Sequence, residues 1–170
     1  MVRIAAVDPG LDGALACLET DQGGTVTTLV VNEMPTIMLP GRRIVDGAAL
    51  ANWFTVYDPD ICIVEQVSSR PGQGVVSVFS FGRALGTVEG VLHALAVPLE
   101  RVTPQVWQRA TGALGLKDPR GRACELLPRA RVSLAEKTKK QGIGCADALL
   151  MAFWWANKGG RKAEVTEQLW

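Results

Sequence analysis

The stretch IAAVDPGLDGALACLE, residues 4–19, decides how the chain folds. Ile4, Ala5, Ala6 and Val7 form an apolar run that suits a strand buried on both faces, and Pro9-Gly10 turns the chain at its end. Asp8 stands between the two, a carboxylate at the point where a buried strand runs out. A second apolar run, GALACLE at 13–19, follows at once, and a third, TVTTLVVNE at 25–33, follows Asp21-Gln22-Gly23-Gly24. Those four residues read as a hairpin turn with glycine supplying positive φ, so the opening is an antiparallel meander of three strands.

Further along, residues 34–46, with Pro35, Pro40 and Gly41, read as loop, and Asp46 caps a helix running to about Tyr57. DICIVEQ, residues 60–66, is again short and apolar enough for a fully buried strand. After a turn at Arg70-Pro71-Gly72, residues 74–97 predict a long helix and Leu99 to Val102 a fifth strand. Thr103-Pro104 and Asp118-Pro119 each place Pro at a first helical position behind a capping residue, and a last helix carries ADALLMAFWWA, residues 146–156. The expected fold is α/β: a mixed five-stranded sheet flanked by helices. Its first three strands are antiparallel, and strands 60–66 and 99–102 run parallel to the first. Gly82, Gly86 and Gly90 line one face of the long helix, where a backbone could approach closely, either the chain's own sheet or a twofold mate.

With 170 residues, 48% of them hydrophobic, the chain is long enough for one domain spanning 1–170 and too short for two comfortable ones. No uncharged apolar run approaches the roughly 20 residues of a membrane helix, and no stretch of signal-peptide character precedes Asp8. These features predict a soluble cytoplasmic protein. Cys17, Cys62, Cys124 and Cys145 are widely spaced, form no CxxC and have only His93 to join them, which argues against structural zinc and for reduced core thiols. His93, in the apolar stretch GVLHALAV, reads as a packing residue, and the five tryptophans as core or terminal residues. The net charge of +1 conceals an asymmetry. Residues 101–140 hold ten Lys or Arg against three acids, a surplus of +7 that leaves −6 elsewhere. Such a division suits a polyanion-binding face beside a cation-binding cleft.

Asp8 has two companions. Glu65 ends the run Ile61 to Val64 as Asp8 ends its own, so parallel neighbouring strands would bring both acids to one edge of the sheet, where open α/β sheets place ligands. Asp147 is the third, set near the start of an apolar helix that must pack on the sheet. Three such acids repel one another and resist desolvation unless a cation neutralises them, and oxygen ligands alone call for a hard ion, Mg²⁺ or Mn²⁺. A carboxylate cage of this kind serves phosphoryl transfer, with a pair of ions stabilising the attacking and leaving oxygens.

VDPG in a first strand, IVEQ at the end of a buried strand and ADALL in a last helix resemble the RuvC-like branch of the ribonuclease H-like nucleases. PGQGVVSVFSFGRALGTVEG followed by PLERVTPQVWQ is similar to phage and prophage members of that branch. The resemblance covers most of the chain. It implies a metal-dependent endonuclease acting on branched DNA such as four-way (Holliday) junctions, in DNA recombination and repair, usually as a homodimer. Asp8, Glu65 and Asp147 match the branch's metal-binding acids, with water as nucleophile and a 5′-phosphate and 3′-hydroxyl as products. A bacterial or phage-infected cell is the implied setting.

Two departures follow. Where the branch usually has Asp or His three residues before the last acid, this chain has Gly144, so a second metal ion is expected to bind weakly, to favour Mn²⁺ over Mg²⁺, and to gain from Gly144→Asp. Gly142 and Gly144 together also imply a flexible approach to Asp147. The cellular resolvase carries an aromatic wedge after its EQ dipeptide, whereas here the sequence is Glu65-Gln66-Val67-Ser68-Ser69-Arg70. Phosphate contacts are assigned to Arg70, Lys117, Lys137, Lys139 and Lys140 by their nearness in sequence to the acids. Two other classes of function compete. A sugar-kinase or actin-like ATPase would need a second lobe and an adenosine site, for which the chain is too short, so no nucleotide cofactor is expected. A degenerate protein that binds branched DNA without cutting, or a nuclease acting on forks, flaps or RNA–DNA hybrids, is separated from a junction resolvase by metal titration and a cleavage assay.

Overall fold

The computed structural model describes residues 1–66, 72 and 74–158. In chain order its elements are β1 (Val2–Asp8), β2 (Ala14–Thr20), β3 (Val26–Glu33), β4 (Thr36–Leu39), β5 (Arg42–Val45), α1 (Gly47–Tyr57) and β6 (Ile61–Glu65). They continue with α2 (Val75–Ala94), β7 (Leu99–Val102), α3 (Pro104–Thr111), α4 (Arg120–Leu126), α5 (Ala130–Ala135) and α6 (Lys139–Asn157). The main sheet has the order β3-β2-β1-β6-β7. β1, β2 and β3 are antiparallel, while β6 runs parallel to β1 and β7 parallel to β6. The mixed sheet expected from the sequence is therefore present, with β1 at its centre.

Period-two alternation sorts the central strands between two cores. Ile4, Ala6, Ile61 and Ile63 pack on the face covered by α6 and the helices before it. Ala5, Val7, Cys62 and Val64 pack on the opposite face with Leu50 and Phe54 of α1 and Val88 and Leu92 of α2. All four cysteines are free; Cys17, Cys62 and Cys145 are buried and Cys124 is half-buried. His93 is exposed on α2 and packs in neither core, contrary to its apolar sequence context.

Four segments differ from the sequence reading. Residues 36–45 form a second two-stranded sheet of β4 and β5, paired from Thr36–Val45 to Leu39–Arg42. Pro40 and Gly41, which read as loop, are the hairpin's turn, with Gly41 at φ 74°. The helix expected after Asp118-Pro119 is divided into α4 and α5, with Pro128 unable to donate at the break. α2 is shorter than residues 74–97. By length and composition it would suffice to cross a membrane, yet Ala84, Val88 and Leu92 pack on the sheet and Glu89 accepts from Arg101 of β7 at 2.8 Å. Finally, α6 begins at Lys139 rather than near residue 146. Thr138 caps it, accepting from Gln141 N while the Gln141 side chain accepts from Thr138 N.

Candidate active site

β1 and β6 are in parallel register through Val7–Val64, so Asp8 and Glu65 lie one position beyond the last pair, side by side. Each has the strand parity of residues whose side chains enter the α6 core, Ala6 before Asp8 and Ile63 before Glu65. Both acids therefore project toward α6. Asp147 lies mid-helix in α6, between buried Ala146 and Ala148, and not at a helix start. All three are only half-buried, at the mouth of the core.

Glycines bring α6 close enough. A Cβ on Gly13 would stand 2.1 Å from the Asp8 carbonyl oxygen, and one on Gly144 would stand 2.9 Å from the Asp12 carbonyl oxygen and 3.2 Å from Gly13 Cα. Gly13 is thus required by its own turn, whereas Gly144 is the point where α6 meets that turn with no room for a helix side chain, and Asp147 follows three residues later. Gly144 is consequently not a flexible approach but a buried, tightly packed contact. The expectation that Gly144→Asp would restore a ligand is corrected by the same geometry, because the new side chain meets backbone.

The acids press on one another electrostatically. Burial pushes the Asp147 carboxyl up to about 8, with repulsion from Asp8 and Glu65 adding to it. Burial likewise pushes Glu65 up to about 7, aided by the Asp8 charge and opposed by a hydrogen bond from Trp107. Asp8 is raised by burial, against the Gly10 N–H that donates to its Oδ1 at 3.4 Å, with the Asp12 charge adding a little. Among the described residues none of the three has a basic ion-pair partner. Nor, among those residues, do three side chains of ligand type gather tightly enough to enclose an ion as placed. The chemistry of the donor set nevertheless fits one: three oxygen-bearing acids, desolvated and mutually repelling, are a site whose charge a hard divalent cation would balance.

The basic candidates are placed differently. Lys137 donates to Glu33 at the end of β3 at 3.0 Å, and Gln141 donates to the other oxygen of Glu33 at 2.6 Å. Lys140 lies 2.7 Å from Asp12, which also pairs with Arg43 of β5. Lys117 and Lys139 are exposed, without ion pairs among the described residues. Arg70 lies outside the described residues, as do Val67, Ser68 and Ser69 of the expected wedge position. Two residues at the site escaped the sequence reading. Arg43 was hidden in a segment read as loop. Trp107, fully buried, donates its Nε1–H to Glu65 Oε1 at 3.0 Å, although its context of TPQVWQ marks only a core aromatic.

No protein-family model matches this sequence, and no curated protein matches it. Solved structures do. Thermus thermophilus RuvC in complex with Holliday junction substrate is 18% identical, at TM-score 0.59, with 94% of this chain and 97% of that one covered. The yeast mitochondrial Holliday junction resolvase is 13% identical, at TM-score 0.60, over 91% and 78% of the two chains. Fowlpox virus resolvase with its Holliday junction DNA is 14% identical, at TM-score 0.54, over 90% and 97%. The chain has the RuvC-like fold. In this RuvC-like fold the mixed sheet carries Asp8 and Glu65 on adjacent parallel strands, and the helix that closes over them carries Asp147.

Proposed function

We propose that the chain is a metal-dependent endonuclease that hydrolyses phosphodiester bonds in branched DNA, four-way junctions foremost, and that it acts as a homodimer. The observation that carries this reading is the convergence of Asp8, Glu65 and Asp147 on one face, with no basic partner among the described residues. The likeness to solved resolvases, two of them holding junction DNA, supports the choice of substrate.

Carboxylates held partly protonated by burial and mutual repulsion become good ligands once a cation offsets their desolvation. A bound Mg²⁺ or Mn²⁺ supplies Lewis acidity at the scissile phosphate and an acidified water as nucleophile. The chain's own part is to hold the acids on rigid elements and to seat the phosphate backbone beside them. The exposed amines of Lys117 and Lys139 suit that second task, as does Arg70 by sequence. Lys137 and Lys140 must leave Glu33 and Asp12 before they can serve.

The homodimer reading draws support from α2. Among the described residues, Cβ atoms built on Gly82, Gly86 and Gly90 meet nothing within 4 Å, so that face does not pack on the chain's own sheet. On the same helix Val75, Val76 and Phe79 are 84%, 83% and 71% exposed. A side-chain-free stripe beside exposed apolar residues suits a second copy of the helix, and a twofold pair supplies two sites for two incisions.

The deciding experiment incubates a labelled four-way junction with the chain in Mg²⁺, in Mn²⁺ and in chelator, with forks, flaps and RNA–DNA hybrids in parallel. Junction cleavage that requires metal and runs faster in Mn²⁺ is expected. Junctions bound equally well in all three conditions and never cut would replace the reading with a non-cleaving binding protein.

A further inference from the structure

We infer that Trp107 is a positioning residue for Glu65: its indole N–H holds one carboxylate oxygen so that the other is presented toward the divalent cation. This rests on the nuclease reading above. Glu65 is the last residue of β6, and among the described residues the ladder is continued beyond it by the Gln66 N–H, which donates to the Val102 carbonyl at 2.7 Å. Its side chain is longer than those of Asp8 and Asp147 and has more rotamer freedom to lose on ordering. Among the three acids it most needs a guide, and among the described residues Trp107 is the side chain that donates to it, at 3.0 Å.

The donor is itself fixed. Trp107 sits in α3 with no solvent exposure, packed in the core shared with Ile63 and α6. A buried indole N–H is costly to leave without an acceptor, so the bond anchors both partners. The donor's chemistry also suits the task. An indole carries no charge, so it orients the carboxylate without neutralising it and without repelling a cation, as Lys or Arg at the same place would. Groups that orient ligands in this way commonly change metal affinity or activity by about 10–100-fold when removed.

Trp107→Phe keeps an apolar ring in the core while deleting the donor, together with part of the indole's volume. Calorimetric titration with Mn²⁺ is expected to show binding weakened about tenfold or more. Junction affinity in chelator should stay unchanged, and cleavage should fall in kcat rather than in KM. Equal Mn²⁺ affinity in wild type and Trp107→Phe overturns the inference. A second measurement needs no variant. In the wild-type chain the Trp107 Nε1–H resonance, assigned through its backbone, is expected to move on saturation with Mg²⁺, and a resonance unmoved at saturation also overturns the positioning role. If the wild-type chain binds neither cation, the nuclease reading itself fails, a result distinguishable because it occurs without any substitution.

Discussion

Asp147 resists ionisation, as Glu65 does, and the effect reaches stability as well as cleavage. Its carboxyl is pushed from an ordinary 3.8 to about 8, and that of Glu65 from 4.5 to about 7. Between those limits the folded chain keeps protons that the unfolded chain has released, so these groups favour the fold at acid pH and cost it stability as pH rises. The contribution is complete below the unfolded values and lost as pH passes through the folded ones. In chelator, the melting temperature of wild type relative to Asp147→Asn should therefore fall from about pH 4 to about pH 8, with the variant the more stable at pH 8.5. Saturating Mg²⁺ at that pH should reverse the order, since a site with all three acids gains more from the ion than one that has lost Asp147. A difference that stays flat across this window would contradict the placement of Asp147. For activity, Asp8→Asn, Glu65→Gln and Asp147→Asn should each lower metal-dependent cleavage by about 10²-fold or more while leaving junction binding in a gel shift nearly intact. Asp12→Asn should have a small effect by comparison, because its carboxylate is engaged by Lys140 and Arg43 and held below the usual range. Full activity in one of the first three variants would remove that residue from the site.

The elements that carry these residues were unequally legible, for reasons that lie in particular residues. β1 and β6 could be read because each is an uninterrupted apolar run ending in a single acid, and burial on both faces leaves no other use for such a run. The β4–β5 hairpin could not, because Pro40 and Gly41 signal a turn equally well in a loop and in a two-residue connection. For α6 the first turns were not legible: Thr138 and Gln141 have capping-box spacing, yet Gly142 and Gly144 read as a flexible approach to Asp147. Their reason is tertiary. Gly144 is required by the backbone of Asp12 and Gly13, a contact between residues far apart in the chain that no local pattern displays. Gly144→Ala should thus destabilise the fold, by about 1–3 kcal/mol on the scale of overpacked sites, despite Ala's better helix propensity. Gly144→Asp should fare worse in both stability and Mn²⁺ affinity, since it pushes α6 and Asp147 off the β1–β2 turn. Thermal melts and calorimetry on both variants check this; an activity gain in Gly144→Asp would show that the turn can yield and that a fourth ligand fits.

At the scale of the whole molecule, the surplus of +7 in residues 101–140 bears on the proposed DNA binding and the bare face of α2 on the proposed self-association. The two can be separated by their response to salt and to apolar substitution. Each phosphate contact contributes a slope of about −0.9 in a plot of log affinity against log salt. Neutralising exposed Lys117 and Lys139 should flatten that slope, whereas neutralising Lys137 and Lys140, whose charge is shared with Glu33 and Asp12, should flatten it less. Self-association should behave in the opposite way, persisting at high salt because the residues available on α2 are apolar. Val76 and Phe79 make no large burial within the chain, so Val76→Asp with Phe79→Asp should leave the melting temperature of the isolated chain nearly unchanged. If α2 is the twofold contact, the same pair of substitutions should convert dimers to monomers in light scattering at micromolar concentration. It should also change the products: a monomer retains Asp8, Glu65 and Asp147 and so nicks one strand of a junction, but it cannot deliver the second, symmetry-related incision. Uncoupled single nicks at normal initial rate would place the dimer contact on α2, and paired incisions by the doubly substituted chain would place it elsewhere.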